Sequence, residues 1–217
     1  MKIGVFDSGI GGRAVAQRLN ELLPDAEIIC VDDHEHVPYG SRTSAKIITL
    51  TDTAIQPLLG AHCDAIVIAC NTATAVAIDY LRNTYPTMNF VGLEPMVKPA
   101  VAQTTSGTIA VLATPATLAS KSYATLKKTW AQDVEIIEPD TATWAGLIEA
   151  GNSEEVPVED TIFQLIEQNV DVIVLACTHY HWLKERAKTA AGVRATVLEP
   201  SDAIGNRIIS LLGSDVA

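Results

Sequence analysis

Along the chain, short uninterrupted apolar runs alternate with longer stretches in which apolar positions recur every three or four residues. Runs of the first kind read as strands buried on both faces, and stretches of the second kind as helices. In the first half this predicts strands near 2–6, 27–31, 65–69 and 90–93, with helices near 11–23, 43–59 and 74–84. Gly11-Gly12 precedes the first helix, and Tyr85-Pro86 ends the third, because proline disfavours helix at the residue before it. In the second half strands are expected near 108–113, 134–138, 171–176 and 195–198, with helices near 115–130, 143–150, 158–168 and 182–190. Strands that alternate with helices imply parallel sheets with right-handed crossovers.

The two halves repeat one another. Asp64-Ala65-Ile66-Val67-Ile68-Ala69-Cys70-Asn71-Thr72 is matched by Asp171-Val172-Ile173-Val174-Leu175-Ala176-Cys177-Thr178-His179. Ile3-Gly4-Val5 matches Ile109-Ala110-Val111, Glu27-Ile28-Ile29 matches Glu135-Ile136-Ile137, and Leu93-Glu94-Pro95 matches Leu198-Glu199-Pro200. These correspondences stay in chain order at offsets of 105 to 108 residues. The expected fold class is therefore α/β: two similar doubly wound parallel-sheet lobes related by a pseudo-twofold axis, with the site in the cleft between them. The first lobe spans 1–97 and the second 98–200. Segment 95–103 reads as a short crossing helix. Its repeat counterpart is the C-terminal segment 201–217, with a helix near 201–212, which should pack back on the first lobe.

Composition narrows the function. With 48% hydrophobic and 19% charged residues among 217, there is ample material for two cores. A formal charge of −11 without a basic stripe argues against a nucleic-acid partner. No apolar stretch is long enough for a membrane span. Met1 leads directly into the first strand without a signal-peptide pattern, and Cys30, Cys63, Cys70 and Cys177 form no C-x-x-C pair. The expectation is a cytoplasmic protein with reduced thiols and no membrane association.

Candidate chemistry gathers at the strand ends, where open α/β sheets bind ligands. Asp7-Ser8-Gly9-Ile10-Gly11-Gly12, with Asp32 further on, partly mimics a dinucleotide fingerprint, but Asp7 puts a carboxylate where a pyrophosphate needs backbone donors. Gly11 and Gly12 read as a tight turn, and Asp7 and Ser8 as polar groups of the cleft. A single buried cysteine is most often a small hydrophobe, which suits Cys30 and Cys63. Cys70 and Cys177 differ because they close equivalent strands of a duplicated unit and would face each other across the axis. Each precedes a helix, whose N-terminus should lower a thiol's pKa. Two opposed thiols suit removal of a proton from one face of a carbon and its return to the other, with Asp7 and His179 steering the protons. No metal is expected, since the spacing of Cys70 and Cys177-x-His179 offers no fourth ligand; a thiol hydrolase would leave Cys70 unemployed. Pro38-Tyr39-Gly40-Ser41-Arg42 supplies a rigid turn, a hydroxyl and a cation at the same rim, suited to an anionic ligand. His34 and His36 read as solvated loop residues, and Glu149 as a solvent-facing helix-end carboxylate.

Together, Asp7-Ser8-Gly9-x-Gly11-Gly12, Pro38-Tyr39-Gly40, Ala69-Cys70-Asn71-Thr72-Ala73, Ala113-Thr114-x-x-Thr117 and Ala176-Cys177-Thr178-His179-Tyr180 resemble the cofactor-independent glutamate racemases of the aspartate/glutamate racemase superfamily. The resemblance implies an enzyme that interconverts L- and D-glutamate without pyridoxal phosphate or any other cofactor, supplying D-glutamate for peptidoglycan. It implies that Cys70 deprotonates the D-enantiomer, assisted by Asp7, and Cys177 the L-enantiomer, assisted by His179. Asp7, Ser8, Pro38, Tyr39, Gly40, Asn71, Thr72, Thr117, Thr178 and His179 would contact the amino acid, Arg42 is a further candidate, and Glu149 aligns approximately with a glutamate that supports the second base. A homodimer is left open.

Against the resemblance, His181 stands where a proline commonly follows Thr-His-Tyr, Glu138-Pro139 replaces a usual Cys-Pro, and Arg13 replaces an apolar residue. An aspartate racemase is the nearest alternative, and a two-lobed amino-acid-binding module a non-enzymatic one.

Overall fold

The computed structural model describes residues 1–212; positions 213–217 of the expected C-terminal segment lie outside the described residues. Two four-stranded sheets form, every pairing parallel. In the first, β1 (Lys2–Asp7), β2 (Glu27–Asp32), β3 (Ala65–Ile68) and β4 (Asn89–Gly92) stand in the order β2-β1-β3-β4. In the second, β5 (Thr108–Leu112), β6 (Glu135–Ile137), β7 (Val172–Leu175) and β8 (Thr196–Leu198) stand in the order β6-β5-β7-β8. The same order arises twice, as the repeat requires. In each sheet the connection direction reverses between the two central strands, β1 and β3 or β5 and β7, and such switch points are where open sheets hold ligands.

The period-two alternation of side chains sorts each sheet's residues between two faces. On one face of the first sheet, Ile3, Val5, Val67 and Val91 pack with Val15 and Leu19 of α1 (Gly12–Leu22). On the other, Phe6, Ile66, Ile68 and Phe90 meet α2 (Ser44–Ala54), α3 (Gln56–Gly60) and α4 (Asn71–Thr84) through Ile47, Leu58 and Leu81. The second sheet repeats this. Ile109, Val111, Val172 and Val174 pack with Val97 and Ala100 of α5 (Val97–Gln103). After the short α6 (Pro115–Leu118), α7 (Lys121–Trp130) adds Tyr123 to that face. Ala110, Leu112, Ile173 and Leu175 face α8 (Trp144–Glu149), α9 (Val158–Glu167) and α10 (Lys184–Ala191). Ile204 and Ile208 of α11 (Ser201–Leu212) join Val15 and Leu19 against the first sheet. Each sheet's last strand thus leads into a helix that covers the other sheet.

Three expected helices form differently, each for a local reason. The helix expected over 43–59 divides, because Pro57 begins a new helix and cannot continue the old one. The one expected over 115–130 divides at Ser120, whose Oγ accepts the Tyr123 N–H at 3.1 Å as an N-cap. The stretch Thr178–Leu183 is a 3₁₀ turn leading into α10, with Tyr180 buried edge-on against Trp144 at 5.4 Å between ring centroids.

Candidate active site

The carboxyl end of β1 delivers Asp7, fully buried, to the boundary between the sheets. Its Oδ1 accepts the Gly9 N–H at 2.9 Å and its Oδ2 accepts the Thr178 hydroxyl at 2.8 Å, a hydrogen bond from the other half of the chain. Burial pushes this carboxyl above its ordinary value, against the pull of His179 and of both donors. The neighbouring glycines lie in the expected turn, closed by the Arg13 N–H donating to Ile10 O at 3.1 Å, and are needed there for close approach. A Cβ at position 12 would lie 2.6 Å from the Cβ of Asp7, and one at position 11 would run into the Thr178 side chain.

Beside it, the end of β3 delivers Cys70 as the N-cap of α4. Its Sγ accepts the Ala73 N–H at 3.4 Å and lies 3.2 Å from Ser8 Oγ. The helix N-terminus was expected to lower this thiol's pKa. Instead burial, then the charge of Asp7, push it up to about 12, and the donors from Ser8 and Ala73 only partly offset them. Its direct side-chain partner is Ser8, while Asp7 acts on it through space. The charge of Cys177 also raises it, so the two sulfurs sense one another across the boundary.

Cys177 has a different setting. Its Sγ lies 3.8 Å from His179 Nδ1, and His179 Nε2 lies 2.5 Å from Glu149 Oε2. Burial opposes charge on this imidazole, but its hydrogen bonds to Cys177 and Glu149, with the nearby Asp7, push it up to about 11. Glu149 is correspondingly held below the usual carboxylate range: burial would raise it, but His179, the Ile10 N–H at 3.2 Å and His34 prevail. A solvent-facing Glu149 does not fit this arrangement, since its side chain is only 13% exposed.

Hydroxyls and amides fill the remaining wall. Thr72 Oγ1 lies 2.8 Å from Thr114 Oγ1, which lies 3.0 Å from Thr117 Oγ1, a chain of hydroxyls across the two halves. Asn71 Nδ2 donates to Leu93 O at 3.2 Å, leaving its buried Oδ1 without a hydrogen-bond partner among the described residues. Tyr39 is buried and donates to Asp33 Oδ2 at 2.7 Å, and Gly40 approaches Thr114 so closely that a Cβ there would lie 2.8 Å from the Thr114 Cβ.

The structure thus gathers Asp7, Ser8, Cys70, Asn71, Thr72, Thr117, Cys177, Thr178, His179 and Glu149, with Tyr39 and Gly40 on the adjoining loop. Pro38 lies exposed on that loop, and Arg42 Nε donates to His36 O at 2.7 Å, bracing the loop itself. Glu138 takes hydrogen bonds from Tyr123 at 2.9 Å and Lys127 at 2.7 Å. Sequence reasoning gave Thr114 no role beyond its place in the Ala113-Thr114-x-x-Thr117 motif, although the repeat offset makes it the counterpart of Ser8. It also missed Asp33 and His34, which have no repeat signal. His34 and His36 are not simply solvated: His34 lies 3.0 Å from Glu149 Oε1, and His36 lies 2.8 Å from Asp33 Oδ1.

Two thiols in unequal acid–base surroundings, each closing a central strand of its own parallel sheet, define an α/β site built for moving protons. The chain belongs to the Asp/Glu/hydantoin racemase family, whose model matches residues 3–206. It is 37% identical over 216 residues to the glutamate racemase of Herpetosiphon aurantiacus, an alignment covering 98% of this chain and 85% of that protein. The solved glutamate racemase of Escherichia coli, in complex with L-glutamate and the activator UDP-MurNAc-ala, superposes with a TM-score of 0.85 at 28% identity, covering 98% of this chain and 82% of that one. That of Francisella tularensis subsp. tularensis SCHU S4, in complex with D-glutamate, gives 0.83 at 28% identity, covering 99% and 81%.

Proposed function

We propose that this chain is a glutamate racemase that interconverts the enantiomers by transferring one proton at each of two opposed thiols. The observation that carries this is the inequality of the sulfurs. Cys70 is held as a thiol by burial and Asp7, whereas Cys177 lies 3.8 Å from the Nδ1 of His179, an imidazole whose proton affinity is raised in turn by Glu149 and Asp7. Racemisation needs one sulfur to act as base while the other acts as acid, and the two stand in different surroundings. With L-glutamate, the Cys177 thiolate takes the α-proton while the Cys70 thiol gives its proton to the opposite face of the same carbon; D-glutamate reverses both transfers. The proton count is unchanged, and the second half-reaction begins from the opposite pair of protonation states.

Asp7 serves Cys70, and His179, backed by Glu149, serves Cys177. Ser8, Asn71, Thr72, Thr117 and Thr178, joined by Thr114, supply donors and acceptors for the ammonium and α-carboxylate beside the N-terminus of α4, which favours an anion. Pro38, Tyr39, Gly40 and Arg42 belong to the loop that would reach the distal carboxylate. In this reading residues 1–97, with α11 (Ser201–Leu212) packed back on them, form one lobe, 98–200 form the other, and their parting admits substrate. No second copy is required, because both thiols come from one chain. Free thiols suit the reducing cytoplasm, and the product suits a supply of D-glutamate for peptidoglycan. Among the described residues no helix is long and apolar enough to cross a membrane.

The test is polarimetry of purified protein with each enantiomer of glutamate and of aspartate. Loss of rotation with both glutamate enantiomers, much faster than with aspartate, is expected; faster loss with aspartate would reassign the substrate.

A further inference from the structure

The loop after β2 carries a histidine that the proposed reaction does not employ. The His34 side chain is 43% exposed, and its two ring nitrogens reach two carboxylates: Nδ1 lies 3.0 Å from Glu149 Oε1, and Nε2 lies 3.3 Å from Asp32 Oδ2. The other oxygen of Glu149 is committed inward, 2.5 Å from His179 Nε2 and 3.2 Å from the Ile10 N–H. Glu149 closes α8, in the second half of the chain, yet two of these three partners come from the first half. Its carboxylate is thus stretched between a ring at the surface and a ring in the site.

A polar contact at the surface ordinarily contributes little. This one differs because fixing Oε1 also fixes Oε2. A glutamate side chain has three rotatable bonds, and without a partner on its outer oxygen it recovers rotamers that swing the carboxylate off His179. We propose that His34 is a positioning residue for the second thiol: by holding Glu149 Oε1 it keeps Oε2 on His179 and the imidazole aligned on Cys177. Asp32, at the end of β2, holds His34 in turn. The raised proton affinity of His179, to which the Glu149 hydrogen bond contributes, agrees with such a chain. The kinetic consequence rests on the racemase reading; the structural link does not depend on any substrate.

The experiment compares wild type with His34→Ala and His34→Gln, whose amide N–H can still donate to Glu149. Without substrate, the His179 ring resonances in ¹⁵N-labelled protein should shift in His34→Ala, with faster solvent exchange of the Nε2 proton, and return toward wild type in His34→Gln. With glutamate, kcat should fall about tenfold in His34→Ala with KM nearly unchanged, since small misalignments near a reacting group are costly. His34→Gln should recover most of that loss. The primary isotope effect on α-deuterated L-glutamate should grow in His34→Ala, because the step at Cys177 becomes slower. Unchanged His179 resonances in His34→Ala, or a shift that His34→Gln fails to reverse, overturn the proposal. So does an unchanged kcat in a protein whose wild type turns over. A wild type that does not racemise defeats the racemase reading instead, and the resonances then decide the role of His34 alone.

Discussion

Thr178 donates its hydroxyl to Asp7 across the boundary between the two halves, at 2.8 Å and fully buried. The carboxylate that governs the first thiol is therefore held by the residue that follows the second. Thr178→Val removes this donor and leaves a buried carboxylate oxygen unpaired. It should destabilise the fold by about 1–3 kcal/mol in urea titration and lower kcat/KM at both enantiomers alike, since a racemase has an equilibrium constant of one.

Asp7→Asn tests how the first thiol is kept protonated. The charge of Asp7, after burial, is what raises Cys70 to about 12. Removing that charge should lower the pH at which Cys70 reacts with iodoacetamide, read by peptide mass spectrometry. Turnover should drop by roughly 10²–10⁴, while thermal stability holds or rises, because a poorly solvated carboxylate is gone.

The pairing of His179 with Glu149 predicts a slope of stability with pH. The folded imidazole titrates at about 11, above its ordinary 6.5, so the contribution is complete below about 6.5 and is lost as pH rises through about 11. Glu149→Gln should cost about 2 kcal/mol near pH 6, as expected for losing a hydrogen bond between charged groups, and the gap from wild type should narrow steadily in more alkaline denaturation series.

At Gly11 the halves pack without spare room, since a Cβ there would run into the Thr178 side chain. Gly11→Ala should force them apart, costing about 1–3 kcal/mol and reducing kcat more than thermal stability alone would suggest. Full activity in this variant would show that the contact opens freely.

A carboxylate remote from the site is expected to govern acid stability. Asp171 accepts the Thr104 hydroxyl at 2.5 Å, the Thr105 hydroxyl at 2.8 Å, and the N–H groups of Thr105 at 2.7 Å and Ser106 at 2.8 Å. Burial would raise its pKa, but these donors hold it well below the usual carboxylate range. The stabilisation is present above the unfolded value of about 3.9 and is lost as pH falls. Asp171→Asn should cost about 2 kcal/mol at neutral pH, and its deficit should shrink in acid.

The parallel sheets and both thiols were legible in the sequence because strands buried on both faces are written as continuous apolar runs, and duplication wrote the second sheet in the same terms. Ile66, Ile68, Ile173 and Leu175 carry that signal directly. Helix breaks were less legible: Ser120 and Pro57 interrupt segments whose apolar period runs on through them. The proton affinity of Cys70 could not be read locally, because the helix N-terminus argues one way while burial and Asp7, distant in sequence, argue the other and prevail. His34 left no trace, since its partner Glu149 lies 115 residues away and no repeat links them.

The central claim is that two different sulfurs handle the two faces of one carbon. The most direct measurement incubates the purified, cofactor-free protein with L-glutamate in deuterated water and analyses both enantiomers at low conversion by chiral separation and mass spectrometry. Two bases predict that the D-glutamate formed carries deuterium at Cα while the remaining L-glutamate stays largely protiated, with the mirror result from D-glutamate. Product that retains the original proton, or the absence of any exchange or racemisation, would contradict it.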